Sequence, residues 1–245
     1  MENIDRRIKY MVVFDTETAG TLGAPLIYDL GMTITDKRGK IYEQGSWIIQ
    51  EVFDNKKLME KAYYGKKYKM YQERIAKGEL TKVPFKVAKA EFNALLEKWN
   101  VKALLAYNIG FDLRALKAST RYLHSQFAEN ENRDFILQEL EIQDIWGFAC
   151  ETLYTQKSFH KLVEQEGWFT PSKNPLTNAE VGYRFISKDR EFEEKHTALN
   201  DSEIETAIMA KCYRMHKKFT KGIKSQPWRE VAKLHKEYLE KVAVA

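Results

Sequence analysis

Five residues with apolar or aromatic side chains, Tyr10-Met11-Val12-Val13-Phe14, run straight into Asp15-Thr16-Glu17-Thr18. A stretch so short, so apolar and so rich in β-formers reads as a strand buried on both faces, and the rest of the chain is organised around it. In a strand, residues i and i+2 point to the same side. Asp15 and Glu17 therefore aim together out of the end of a sheet. Two carboxylates held close repel each other unless something cancels the charge. A divalent cation does so, and hard cations such as magnesium take oxygen ligands. An Asp-x-Glu triplet after a strand also serves simply to cap a turn, and this segment alone leaves both readings open.

The flanking sequence places the strand. Ala19 to Pro25 reads as a loop by its Gly and Pro content. Leu26 to Thr35 and Ile41 to Ile49 read as two further strands, joined by the turn Asp36-Lys37-Arg38-Gly39-Lys40. Short turns between successive strands make them antiparallel neighbours. Residues 56 to 82 read as polar and helical, with Leu58, Met59, Ala62, Tyr63, Tyr71 and Ile75 as inward positions. Pro84 suits the first turn of a helix running to Trp99, with Val87, Ala90, Phe92, Ala94, Leu95 and Trp99 as its apolar stripe. Val101 to Tyr107 is a fourth strand, and Asp112 to Thr120 a helix pattern, so this strand adds in parallel. A polar loop at Glu129 to Asn132 precedes a short fifth strand around Ile142. Shorter helices are predicted at Gly147 to Tyr154, Ser158 to Glu166 and Asn178 to Ile186, and longer ones at Asn200 to Lys218 and Pro227 to Val242. The expected fold class is α/β: a mixed sheet of about five strands, the first three antiparallel, flanked by helices. Residues 1–220 form the expected main domain, and 221–245 a basic helical C-terminal extension of it.

Composition excludes several classes. Hydrophobic residues make up 44% of the 245, which is ample for a core. Cys150 and Cys212 are the two cysteines, too few for a disulfide framework or a zinc pattern, and a reducing, cytoplasmic setting fits. The N-terminus lacks the apolar core of a signal peptide, and no apolar run approaches the roughly eighteen residues that span a membrane. The net charge of +5 weakly favours an anionic partner. It is concentrated between residues 56 and 90, where eleven Lys or Arg stand against three Glu. That stretch is either a solvated helix face or a flank for nucleic-acid phosphates, with Tyr63, Tyr64, Tyr68 and Tyr71 either stacking on bases or filling the core.

Three acidic features fall at analogous places. Asp15 and Glu17 end the first strand. Asp112 closes Asn108-Ile109-Gly110-Phe111-Asp112 after the fourth. Asp201 opens the long late helix, five residues after His196 in His196-Thr197-Ala198-Leu199-Asn200-Asp201. In open sheets the functional crevice lies beyond strand ends. In kind and order this set resembles the DEDDh exonucleases of the ribonuclease H-like superfamily. The three motifs frame about residues 10 to 215, and His196, five residues before the last Asp, points to the histidine branch of that family.

The resemblance implies a metal-dependent 3′–5′ exonuclease acting on single-stranded DNA or RNA ends, with DNA slightly favoured, and releasing nucleoside 5′-monophosphates. It implies two divalent cations, Mg²⁺ or Mn²⁺, held by Asp15, Glu17, Asp112 and Asp201, with His196 as general base. Asp201 could alternatively cap its helix. Thr16 and Thr18 are expected to hold the terminal 3′-hydroxyl and base, Phe111 and Leu22 to pack on the last bases, and Asn108 to reach sugar or phosphate or to satisfy backbone groups. The segments 56–90 and Gly167 to Lys195 are longer than the plainest family members need and are expected to shape substrate choice. A polymerase or another replication or repair partner is left open. The reading from a different class is a catalytically silent nucleic-acid-binding or adaptor module of the same fold.

Overall fold

The computed structural model describes residues 4–5, 7–62, 65–124, 134–215, 219 and 222–243. Three antiparallel strands open it: β1 (Met11–Thr21), β2 (Ala24–Thr35) and β3 (Ile41–Ile49). Short helices α1 (Gln50–Phe53), α2 (Lys56–Met59) and α3 (Tyr68–Ala76) lead to a two-residue strand, β4 (Lys82–Val83), and then to α4 (Phe85–Lys98). Next come β5 (Ala103–Ala106), α5 (Ile109–His124), β6 (Glu141–Asp144), α6 (Ile145–Glu151), α7 (Lys157–Glu166), α8 (Ala179–Ser187), α9 (Ala198–Arg214) and α10 (Trp228–Ala243). The strands form one mixed sheet in the order β4-β3-β2-β1-β5-β6, with β1 parallel to β5 and β5 parallel to β6.

The interior strand does what its composition demands. Val12 and Phe14 join one apolar cluster with β2, β3, α4 and α5. Met11 and Val13 join the opposite cluster, with α6, α7, α9 and α10. This alternation decides the site. Odd positions of β1 face α9, so Asp15 and Glu17 continue the Met11–Val13 row toward it. Thr16, one residue out of step, faces α5.

Four expectations are corrected. Ala19 to Pro25 is not a loop: β1 and β2 pair as far as Thr21 with Ala24, leaving Leu22 and Gly23 as the tip of a long hairpin. The cross-strand ladder overrides the local Gly and Pro signal, and Gly20 takes the positive φ of 92° that the bend needs. Residues 56 to 82 do not form one helix but α2, a turn of 3₁₀ helix at Gly65–Lys67, α3, and the edge strand β4, a sixth strand where about five were expected. The buried stripe of α4 is Phe85, Ala88, Phe92, Asn93 and Leu96 rather than one led by Val87, which is exposed. Spacings of three and four residues from Phe85 give that face. Finally, Asp15 and Glu17 do not end the first strand but lie in its middle, because pairing with β2 carries β1 on to Thr21. Of its two readings Tyr71 takes the inward one: it is fully buried, packed edge-on against Tyr28, and cannot stack on a base. Tyr68 is half-buried against Phe53. The roles considered for Tyr63 and Tyr64, the loop expected at 129–132, and the end of the helix expected to run to Lys218 lie outside the described residues. Among the described residues, no helix is long and apolar enough to cross a membrane.

Candidate active site

The middle of β1 is a carboxylate cluster because α9 comes unusually close to the sheet. Asp15 sits opposite Gly31 of β2. A Cβ added at Gly31 would lie inside the backbone of Ala198 and Leu199, so only glycine lets the start of α9 settle there. Two further ties hold α9. Asp29, opposite Glu17 in register, accepts the Ala198 N–H at 3.1 Å on Oδ2. The hydroxyls of Thr33 and Thr206 lie 2.8 Å apart. The same Asp29 oxygen accepts the Tyr71 hydroxyl at 2.7 Å, which ties α3 to the site.

With α9 in place, Asp201 in its first turn faces Asp15 and Glu17. Glu17, His196 and Asp201 each present a ligand atom, all within 4.8 Å of one another. Thr197 is the N-cap of α9, and Asp201 does not cap it. Its Oδ1 is buried with no hydrogen-bond partner. His196 takes a left-handed backbone conformation, φ 47°, a strained geometry of the kind found where function fixes a side chain. Its Nδ1 lies 3.6 Å from Glu194 Oε2. Asp112 reaches the cluster from the other side, one turn into α5, and its Oδ1 accepts the Thr16 hydroxyl at 2.7 Å.

Burial and crowding show in the acidities. Asp15 is driven well above the usual carboxylate range, first by loss of water and then by the charges of Glu205, Asp112, Asp201 and Glu17. Desolvation, followed by the neighbouring Asp201 and Asp29, pushes Glu17 up to about 9. Burial pushes Asp201 up to about 8, with Glu194 and Asp29 adding to it. Asp112 is pushed up to about 7 by burial, against the hydrogen bond from Thr16. Lys67, in the 3₁₀ turn, works in the opposite direction on Glu17 and Asp201, and its ammonium donates to the Lys195 carbonyl. Lys67 belongs to the basic 56–90 stretch and reaches the cluster. Arg74, Lys69 and Lys82 of that stretch pair instead with Glu79, Glu73 and Asp54.

These residues fit a divalent cation. The donors are carboxylate oxygens and an imidazole, the negative charges outnumber nearby positive ones, and a buried Asp201 oxygen is left without a partner.

Three residues escaped sequence reasoning. Glu205 is buried one helical turn beyond Asp201, accepts the Tyr107 N–H at 3.0 Å, and is driven well above its ordinary pKa by burial and by Asp112. Its i+4 spacing from Asp201 was the available signal. Asp29 was visible as a lone charge in the apolar run Leu26 to Leu30. Glu194 carried no local signal, because the turn that brings it to His196 is irregular.

The residues expected to hold substrate separate. Thr16 is buried and spent on Asp112, and Thr18 follows the irregularity in β1 between Glu17 and Thr18. Asn108 is exposed at φ 62°, its backbone N–H bonded to Asp144 at 3.0 Å. Phe111 is half-buried, with the Arg114 guanidinium 5.7 Å from its ring centre. Leu22 is 84% exposed at the hairpin tip, roughly 17 Å along the strand from Glu17 at about 3.3 Å per residue.

No protein-family model matches the sequence, and no curated protein matches it. Solved structures do. Cell-death related nuclease 4 (CRN-4) aligns over 96% of this chain and 78% of its own, at 11% identity and a TM-score of 0.50. An exonuclease I structure aligns over 95% of this chain at 17% identity and a TM-score of 0.52, and apo exonuclease I over 96% at 18% and 0.52. The chain has the fold of these nucleases. It spans 43% and 45% of the two exonuclease I chains. The mixed sheet, antiparallel through β3-β2-β1 and parallel beyond, is the sheet of that fold.

Proposed function

We propose that this protein is a two-metal-ion 3′–5′ exonuclease that hydrolyses single-stranded nucleic acid, DNA ahead of RNA, to nucleoside 5′-monophosphates. One observation supports the reading: Glu17, His196 and Asp201 each offer a ligand atom within 4.8 Å of one another, Asp15 is buried among the charges of Glu17, Asp112 and Asp201, and an Asp201 oxygen has no hydrogen-bond partner. The fold shared with CRN-4 and exonuclease I supports it.

Asp15, Glu17, Asp112 and Asp201 would hold the two cations, magnesium or manganese. When bound, such a pair supplies an activated water and stabilises the leaving 3′-oxygen. The remaining work belongs to the chain. His196, its Nδ1 turned toward Glu194, takes the proton of the attacking water at Nε2. Burial and Lys67 lower its pKa from the ordinary value, so the imidazole is neutral and receptive near pH 7. Thr16 fixes the Asp112 carboxylate, and Asp29 fixes the helix that presents Asp201. A reducing compartment, the cytoplasm, suits the two buried free thiols Cys150 and Cys212.

The test is digestion of matched single-stranded DNA and RNA labelled at the 5′ end, with Mg²⁺, Mn²⁺ or chelator, beside Asp15→Asn. A metal-dependent ladder shortening from the 3′ end, absent in the variant, is expected, with DNA cut faster. Intact strands under every metal, with binding retained, would support a silent binding module instead.

A further inference from the structure

A second cleft shares a wall with the carboxylate cluster. It has a volume of about 550 Å³, within the range of small-ligand sites. The shared wall is the turn Tyr107-Asn108. The Tyr107 N–H is held by Glu205 of the cluster, and its ring lines the cleft. Trp146 and Trp228 line it as well, and so do Ser172 and Asn174.

The cleft is built and held rigid. The Tyr107 hydroxyl meets Tyr154 at 2.7 Å and donates to the Thr177 carbonyl at 2.5 Å, and the Trp146 indole N–H donates to Thr177 Oγ1 at 3.0 Å. Both rings are thereby anchored by their polar ends. Asp144 Oδ1 accepts the Asn108 and Trp146 backbone N–H groups together, at 3.0 and 3.1 Å, locking two walls to one carboxylate. The far wall is a closed turn: the Thr170 N–H bonds the Asn174 carbonyl at 2.8 Å, and Thr170 Oγ1 accepts the Asn174 N–H at 3.1 Å.

None of the lining residues carries a formal charge. A neutral pocket of aromatic faces edged by amide and hydroxyl groups suits a planar, uncharged, hydrogen-bonding ligand. Side-chain amides donate and accept, so they tolerate different edges. The phosphates of such a ligand would stay outside, where the Arg229 guanidinium stands 5.8 Å from the Trp228 ring centre. The backbone of Tyr107 joins the cleft to Glu205 of the cluster, which brings the cleft within reach of a strand whose 3′ end would lie at Asp15.

We propose that this cleft is a base subsite: it takes an unstacked nucleobase of the strand whose 3′ end is being hydrolysed, and gives the enzyme a preference for longer strands. The inference rests on the exonuclease reading. Stacking on aromatic side chains is sequence-tolerant and makes a sizeable contribution per base.

Two variants test it, Trp228→Ala, which removes a stacking face, and Ser172→Trp, which fills the cleft from an exposed position. Hydrolysis is compared on a 5′-labelled dinucleotide and decanucleotide, in deoxy and ribo forms. Both variants are expected to lower the decanucleotide-to-dinucleotide ratio of kcat/KM on the order of tenfold. A ratio equal to the parent's in both variants overturns the subsite and leaves the exonuclease reading standing. Binding is read separately by fluorescence anisotropy, on a decanucleotide with a nuclease-resistant 3′-terminal linkage. Tight binding by the parent and weakening in both variants, without any hydrolysis of the ordinary strand, supports the cleft while removing the exonuclease reading. If photocrosslinks from 5-iodouridine strands map away from the peptides holding Trp146 and Trp228, the subsite is wrong.

Discussion

A buried carboxylate keeps its proton unless a cation replaces the water it has lost. Five acids, Asp15, Glu17, Asp112, Asp201 and Glu205, share that predicament here. Glu205 separates the neutral from the charged role. Burial and Asp112 favour its neutral form, which still accepts the Tyr107 N–H, and glutamine matches that form in both respects. Glu205→Gln is therefore expected to hold stability near the parent's. Glu205→Ala, which orphans the Tyr107 N–H, should cost about 1–3 kcal/mol in urea denaturation. Equal losses in the two variants would show that the acid is needed as an anion. His196 makes the complementary case. A general base contributes about 10²–10⁴-fold, so His196→Ala should lower kcat by that much with little change in melting temperature. Full activity in this variant removes His196 from the chemistry.

The decisive element is α9, because its seating on Gly31 brings Asp201 to β1. Gly31→Ala would force Cβ into the Ala198–Leu199 backbone, and overpacking of this kind costs about 1–3 kcal/mol or more. Gly23→Ala, at the hairpin tip with open space around it, should stay within about 0.5 kcal/mol of the parent. Denaturant midpoints compare the two, and a Gly31→Ala variant as stable as Gly23→Ala would contradict the seating. This element also marks how far sequence could be read. Alternation along Met11 to Glu17 announced β1 and its carboxylates, and helical apolar spacing announced α9, since both depend on local periodicity; the pairing of His196 with Asp201 came only from the family resemblance. The close approach at Gly31 did not show, because a glycine inside a strand looks the same whether a helix rests on it or not. The Ala19 to Pro25 segment misled for the opposite reason: its turn residues are real, but long-range pairing of β1 with β2 outweighs them. The breaks between α2, α3 and β4 follow from where the edge of β3 and the Asp29 carboxylate take hold of the chain.

Across the whole molecule, the site's charge couples to stability. In an unfolded chain Glu17, Asp112 and Asp201 lose their protons near pH 4, whereas folded they hold them to about 9, 7 and 8. Between those limits the folded protein binds more protons than the unfolded one, so the metal-free protein should lose stability as pH rises from about 5 to 9. Cation binding needs the deprotonated acids, so the gain in Tm from Mn²⁺ should grow across the same window. Melts in chelator and in Mn²⁺ at several pH values read both slopes, and a metal-free Tm that climbs with pH contradicts the crowding. The central claim is that these carboxylates form a paired-cation site. It is met most directly by titrating Mn²⁺ into the protein under electron paramagnetic resonance, beside Asp15→Asn. The account predicts two ions per chain, magnetically coupled through their closeness, with the coupling lost in the variant. No tight binding, or ions that stay uncoupled and indifferent to Asp15, would contradict it.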